Sequence, residues 1–116
     1  MIEMDAATFE SLVVEELDRL PDDMFDGLEN VIFVTEDRPE DGGLDLLGLY
    51  DGVALTEREG YGVGELPDRI VVYREPHLHI CANDAERRDE VHTTLVHEIA
   101  HFFGIDDERL HELGWA

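Results

Sequence analysis

The sequence predicts an α+β domain: a small twisted mixed sheet, a long helix packed across it, and a short C-terminal helix. Three observations carry this expectation. Apolar residues recur at helical spacing in residues 5–20 and again from about residue 84 to the glycine at 104. Between these stretches lie short β-branched and aromatic runs, 31–34 and 69–73, separated by Gly, Pro and acidic residues. At 116 residues the chain can build one core but not two, so a single domain over 1–116 is expected.

The first helix is predicted over 5–20. Phe9, Leu12, Val13, Leu17 and Leu20 form its apolar face, with Glu10, Glu15, Glu16 and Asp18 on the other side. Pro21 closes it. Asn30 leads into 31–34, which reads as a buried strand, and 35–45, acidic with Pro39, Gly42 and Gly43, reads as a loop. Residues 46–50 and 53–55 flank Asp51 and Gly52, a pair that favours a tight hairpin turn. Residues 56–66 hold Gly60, Gly62 and Gly64 with no following GK[ST], so a mobile loop is expected rather than a phosphate cradle.

The clearest strand is 69–73, centred on Ile70, Val71 and Val72. Whether it is an edge strand that an extended substrate can pair with or an interior strand is open at this point. Residues 75–82 are ambiguous between a loop and a short strand. Asn83 followed by Glu86 is a capping box, placing the start of the next helix near Asp84. That helix carries Val91, Leu95, Ile99 and Phe102 as one stripe, widened by Val96, Ala100 and Phe103. A last short helix is predicted over 107–113, ending at Gly114.

Within the long helix stands HEIAH, residues 97–101. Residues four apart on a helix lie about 40° from each other around the axis, one turn along. His97 and His101 therefore present two imidazoles to one point, as a tetrahedral metal ion requires. Glu98 borders the same edge, placed to take a proton from a water held there. Gly104 is where the helix can stop and the chain reverse. A continuing helix would carry Asp107 about 15 Å along the axis from His97, but a reversal returns it as a third ligand. The fourth position is then left for water, the mark of a catalytic zinc site. Asp106 is expected to cap the helix that follows, with Asp107 rather than Asp106 as the ligand.

Composition narrows the partners. Thirty acidic residues oppose eight basic ones, all arginine, for a net charge of −22. Such a chain does not bind nucleic acid or an anionic membrane by electrostatics. The acidity suits cationic substrates, or equally a solvated surface in a salty or crowded cytoplasm. Cys81 is the single cysteine, expected to be a buried small residue rather than a nucleophile or ligand. No signal peptide or membrane-length apolar run is visible, and a cytoplasmic location is expected.

Four blocks in order, LVVEELDRLP, LLGLYDG, LPDRIVVYREP and HEIAHFFGIDDERLHELGW, resemble the minimal zincin-like metallopeptidases of bacteria. The last block matches the metzincin-type pattern HExxHxxGxxD. The resemblance implies a zincin fold reduced to a small sheet and an active-site helix. It also implies zinc as cofactor, with His97, His101 and Asp107 as ligands and Glu98 as general base. Wider metzincins carry a methionine turn under the metal, and the residues after Asp107 contain no Met.

The expected activity is hydrolysis of peptide bonds in a peptide or protein substrate, through a zinc-bound water activated by Glu98. The alternatives are a zinc-binding protein without turnover and an acidic interaction module without metal. A second group to stabilise the oxyanion is not identified by the motif. Tyr50, Tyr61, Tyr73, His77, His79, His92 and His111 are the candidates.

Overall fold

The computed structural model describes residues 4–25, 28, 30–52, 67–105 and 108–109. In order along the chain come α1 (Ala6–Arg19), a single 3-10 turn (Asp22–Phe25), β1 (Val31–Glu36), β2 (Gly48–Asp51), β3 (Asp68–Tyr73), α2 (Arg74–Ile80) and α3 (Asp84–Phe102). The expected α+β architecture with a mixed sheet is the one observed. The sheet has the order β1-β3-β2, with β1 parallel and β2 antiparallel to β3.

β3 is therefore the central strand, and the edge-strand reading of 69–73 is overturned. Its sequence agrees with that place. Ile70 and Val72 face the helices, Val71 and Tyr73 face the other way, and all four are buried. Across the sheet, Phe33 pairs with Ile70 from one side and Tyr50 from the other, which brings all three to the helix-facing side.

α1 and α3 pack on each other and on this face of the sheet. Phe9, Leu12, Val13 and Leu20 of the first helical stretch meet Val91, Leu95, Val96 and Ile99 of α3 in one core with Ile70 and Val72. Burying a side chain such as Phe9 or Leu95 contributes about 1.5–3 kcal/mol. The apolar stripes read from the sequence are thus the buried ones.

Two predicted termini are visible in atomic detail. Asn83 caps α3 by accepting from the Glu86 N–H at 2.9 Å, while the Glu86 carboxylate accepts from the Ala82 N–H at 3.2 Å. At the other end the Gly104 N–H donates to His101 and the Ile105 N–H to Ala100, with Gly104 at φ +82°. This pair of bonds is a Schellman motif, in which glycine takes the left-handed conformation without a Cβ penalty. The helix ends one residue beyond His101, and the chain turns away there.

Most of the ambiguous stretch 75–82 proves to be neither loop nor strand, for α2 spans Arg74–Ile80 and only residues 81–82 are irregular. Pro76 sits in its first turn, where no backbone N–H is needed, and His77 and Leu78 are buried beneath it. Seven residues make two turns, too few for a helical period to stand out from alternation. The second arm of the predicted hairpin (53–55), the 56–66 loop and the 107–113 helix lie outside the described residues, apart from Glu108 and Arg109, which are helical.

Candidate metal centre

α3 builds the site on one of its faces. His97 and His101 lie one turn apart with ring centroids 4.6 Å from each other and planes crossed at 78°. Glu98, between them in sequence, is buried, and its Oε1 lies 3.0 Å from His101 Nδ1. One nitrogen of each imidazole and one Glu98 oxygen fall within 4.8 Å of one another. Two nitrogens bound to one zinc ion are at most about 4.2 Å apart, so small side-chain rotations bring both onto one ion. Imidazole nitrogens are donors that zinc accepts, and Glu98 stands beside them where a general base is expected. Both expected histidines and Glu98 are therefore brought together, while Asp106 and Asp107 lie outside the described residues.

The rigidity of the site comes from what lies under it. Ile99, Ala100 and Phe102, interleaved with the three polar residues, are each no more than 1% exposed. Beside Glu98 the strand β2 comes unusually close to α3. A Cβ built on Gly48 would lie 2.5 Å from Thr94 Cγ2, 3.1 Å from the Val71 carbonyl oxygen and 3.3 Å from Glu98 Cγ. Gly48 thus allows β2 to press against α3 where Glu98 sits. The Tyr73 N–H, bonded to the Leu47 oxygen at 3.0 Å, ties the approach to β2 onto the central strand.

Thr94 is in turn held from below. The buried His77 ring places Nδ1 2.7 Å from the Tyr73 carbonyl oxygen and Nε2 3.0 Å from Thr94 Oγ1. A carbonyl can only accept, so Nδ1 carries the proton and the Thr94 hydroxyl donates to Nε2. Burial lowers the His77 pKa, outweighing its hydrogen bond to Tyr73. His77 is a supporting group beneath the helix rather than an oxyanion donor.

The remaining candidates for that role divide in the same way. The Tyr50 hydroxyl donates to Asp68 Oδ2 at 2.6 Å, and its ring stands edge-on to Phe102. Tyr73 is buried, its pKa raised first by that burial and then by Glu36. His79 and His92 are exposed on α2 and α3, and Tyr61 and His111 lie outside the described residues. Cys81 is buried as expected, and burial pushes its thiol pKa up, away from a nucleophile's.

A cavity of about 210 Å3 opens beside His97 and Glu98, between the 45–48 segment and the Glu90–Thr94 turn of α3. This cavity, Gly48 and Thr94 were not identified from the sequence. Glu90, Thr94 and Glu98 do recur every four residues, which marks them as one helix face. The strand segment opposite could not be assigned to that face by spacing.

Among the described residues no helix is long and apolar enough to cross a membrane. No curated protein matches the sequence. A conserved hypothetical protein from Thermo thermophilus has a similar fold, with a TM-score of 0.56, 24% identity, and coverage of 95% of this chain and 97% of that one. The sequence model of the zincin-like metallopeptidases matches residues 28–115, which include the sheet, the motif helix and the segment after Gly104. With its paired histidines and buried glutamate on a helix laid across a small mixed sheet, the chain belongs to the zincin-like metallopeptidase family.

Proposed function

We propose that the protein is a zinc-dependent peptidase in which His97 and His101 hold the ion, Asp107 completes the ligand set and Glu98 is the general base. The observation that supports this most is the meeting of two imidazoles and a buried carboxylate within 4.8 Å on one helix face. When bound, zinc supplies a Lewis acid that polarises a peptide carbonyl and acidifies a water.

The protein's own groups do the rest. The core packing of α3 fixes the backbone that carries both rings, which keeps the two imidazoles on one helix face. Glu98, buried and close to His101, takes a proton from the attacking water and delivers it to the leaving amine. Its burial keeps bulk water from competing for that proton. The Gly104 turn ends the helix one residue beyond His101, which is what the assignment of Asp107 as third ligand requires.

Metal content of dialysed protein, measured by mass spectrometry, tests the ligands. One zinc per chain is expected for the wild type, none for His97→Ala, and a weakened site for Asp107→Ala. Metal and proton compete for the same imidazole nitrogens, so zinc affinity should also fall as the solution is acidified. Glu98→Gln should keep zinc and lose hydrolysis by at least about 100-fold, the usual worth of a general base. Zinc content indifferent to His97→Ala would exclude these ligands. Full activity in Glu98→Gln would exclude this base.

A further inference from the structure

We infer that the cavity beside His97 and Glu98 is a subsite for a cationic substrate side chain, lysine or arginine, adjoining the bond to be cut. The inference rests on the peptidase reading above and names its substrate class. At about 210 Å3 the cavity is smaller than the roughly 300–1,000 Å3 pockets that enclose whole small molecules, and suits one side chain.

Its lining is divided by chemistry. Leu46 and Leu47 supply an apolar wall, while Asp45 and Glu90 supply carboxylates. That division matches a side chain with an aliphatic stem and a charged head, which buries the first and hydrates or pairs the second. Asp45 is exposed and Glu90 half-buried, so both carboxylates remain accessible to an incoming group.

The charge at this cavity is not cancelled from within. Arg19, Arg38, Arg69, Arg74, Arg87 and Arg88 are each in an ion pair with some other acid, and among the described residues neither Asp45 nor Glu90 enters one. A glutamate or aspartate side chain entering here would face like charges and be rejected, which is specificity by repulsion. A cation meets two carboxylates and is also drawn in by the field of a chain with net charge −22.

The test uses the full chain, zinc-loaded and metal-free. It is titrated with the N-acetyl amides of arginine, lysine, norleucine and glutamate while backbone amide resonances are followed by NMR. The arginine and lysine compounds should shift residues 45–48 and 90–98 and bind at least about fivefold more tightly than the norleucine compound, with affinity falling as salt rises. That preference should disappear in the Asp45→Asn/Glu90→Gln variant, whose changes lie on accessible side chains and leave the core intact. Norleucine or glutamate amides binding as well as arginine, or an unchanged preference in the double variant, overturns the inference.

Cleavage of a random peptide library by the zinc-loaded protein gives the second readout, and cuts beside Arg or Lys are expected. Cuts without basic preference overturn the subsite and leave the peptidase reading standing. If nothing is cut while arginine amide binds the cavity and the double variant loses it, the cation pocket is supported and the peptidase reading fails.

Discussion

His77 and Glu98 are buried ionisable side chains on facing helices, one supporting the floor of the site and the other serving as its proposed base. His77 is fully buried, with both ring nitrogens committed to Tyr73 and Thr94. Burial holds it neutral by lowering its pKa from the ordinary 6.5. The unfolded chain accepts a proton there below about pH 6.5 and the folded chain does so only at lower pH, so the unfolded state binds more protons as pH falls. The contribution of His77 to stability is therefore complete above the unfolded value and is lost as pH drops through it. Replacing it by Asn keeps a donor and an acceptor but removes the titration. Between about pH 7.5 and about pH 5.5 the wild type should lose roughly 1 kcal/mol relative to His77→Asn, measured by urea unfolding of the metal-free proteins. A pH-independent difference would show that His77 does not stay neutral. At this scale the sequence revealed the motif but not its support. HEIAH is local, so one turn of helix suffices to bring its histidines together, whereas Thr94 and His77 meet only because α2 packs against α3.

α3 and β2 are the elements whose contact shapes the site. The ends of α3 are set by short-range chemistry, the Asn83 capping box and the Gly104 reversal, and both are readable as residue types at fixed offsets. The contact with β2 is different. Gly48 sits where any Cβ would collide with Thr94, so the gap between strand and helix depends on one missing methyl group. Gly48→Ala should destabilise the fold by about 1–3 kcal/mol, because the close-packed core resists the added volume. Adding Thr94→Ser removes the Cγ2 nearest the clash while keeping the hydroxyl that His77 accepts from. The double variant should recover part of the loss, read as a coupling in thermal or urea unfolding. Independent, additive effects would place the strain at the Val71 carbonyl instead. The reading of 75–80 as loop or strand failed for a related reason. α2 is a helix because packing buries His77 and Leu78 under α3, and its two turns carry no periodic signal of their own.

Taken as a whole the molecule is a strongly acidic body, and its ion pairs do not offset that. Most of the pairs described involve exposed side chains, each worth about 0–1 kcal/mol, against the mutual repulsion of thirty carboxylates. Raising sodium chloride from about 0.01 M to about 1 M shortens the screening length from about 30 Å to about 3 Å and should stabilise the fold. An increase in melting temperature of at least about 4 °C, equivalent to about 1 kcal/mol, is expected. A flat or falling melting temperature would mean that the pairs outweigh the repulsion. The same charge, concentrated by Asp45 and Glu90 at the cavity, is what makes a cationic side chain the expected occupant. By itself the sequence determined the α+β class, the apolar faces of α1 and α3, the helix ends, and the pairing of His97 with His101 around Glu98. All of these depend on residues within a few positions of one another, where backbone geometry leaves little choice. Only the tertiary structure decided that β3 lies inside the sheet, that 74–80 is helical, and that Gly48 and residues 45–47 stand against Glu90, Thr94 and Glu98. Those contacts join segments about forty to fifty residues apart, and they follow from how the apolar faces bury one another rather than from any local spacing.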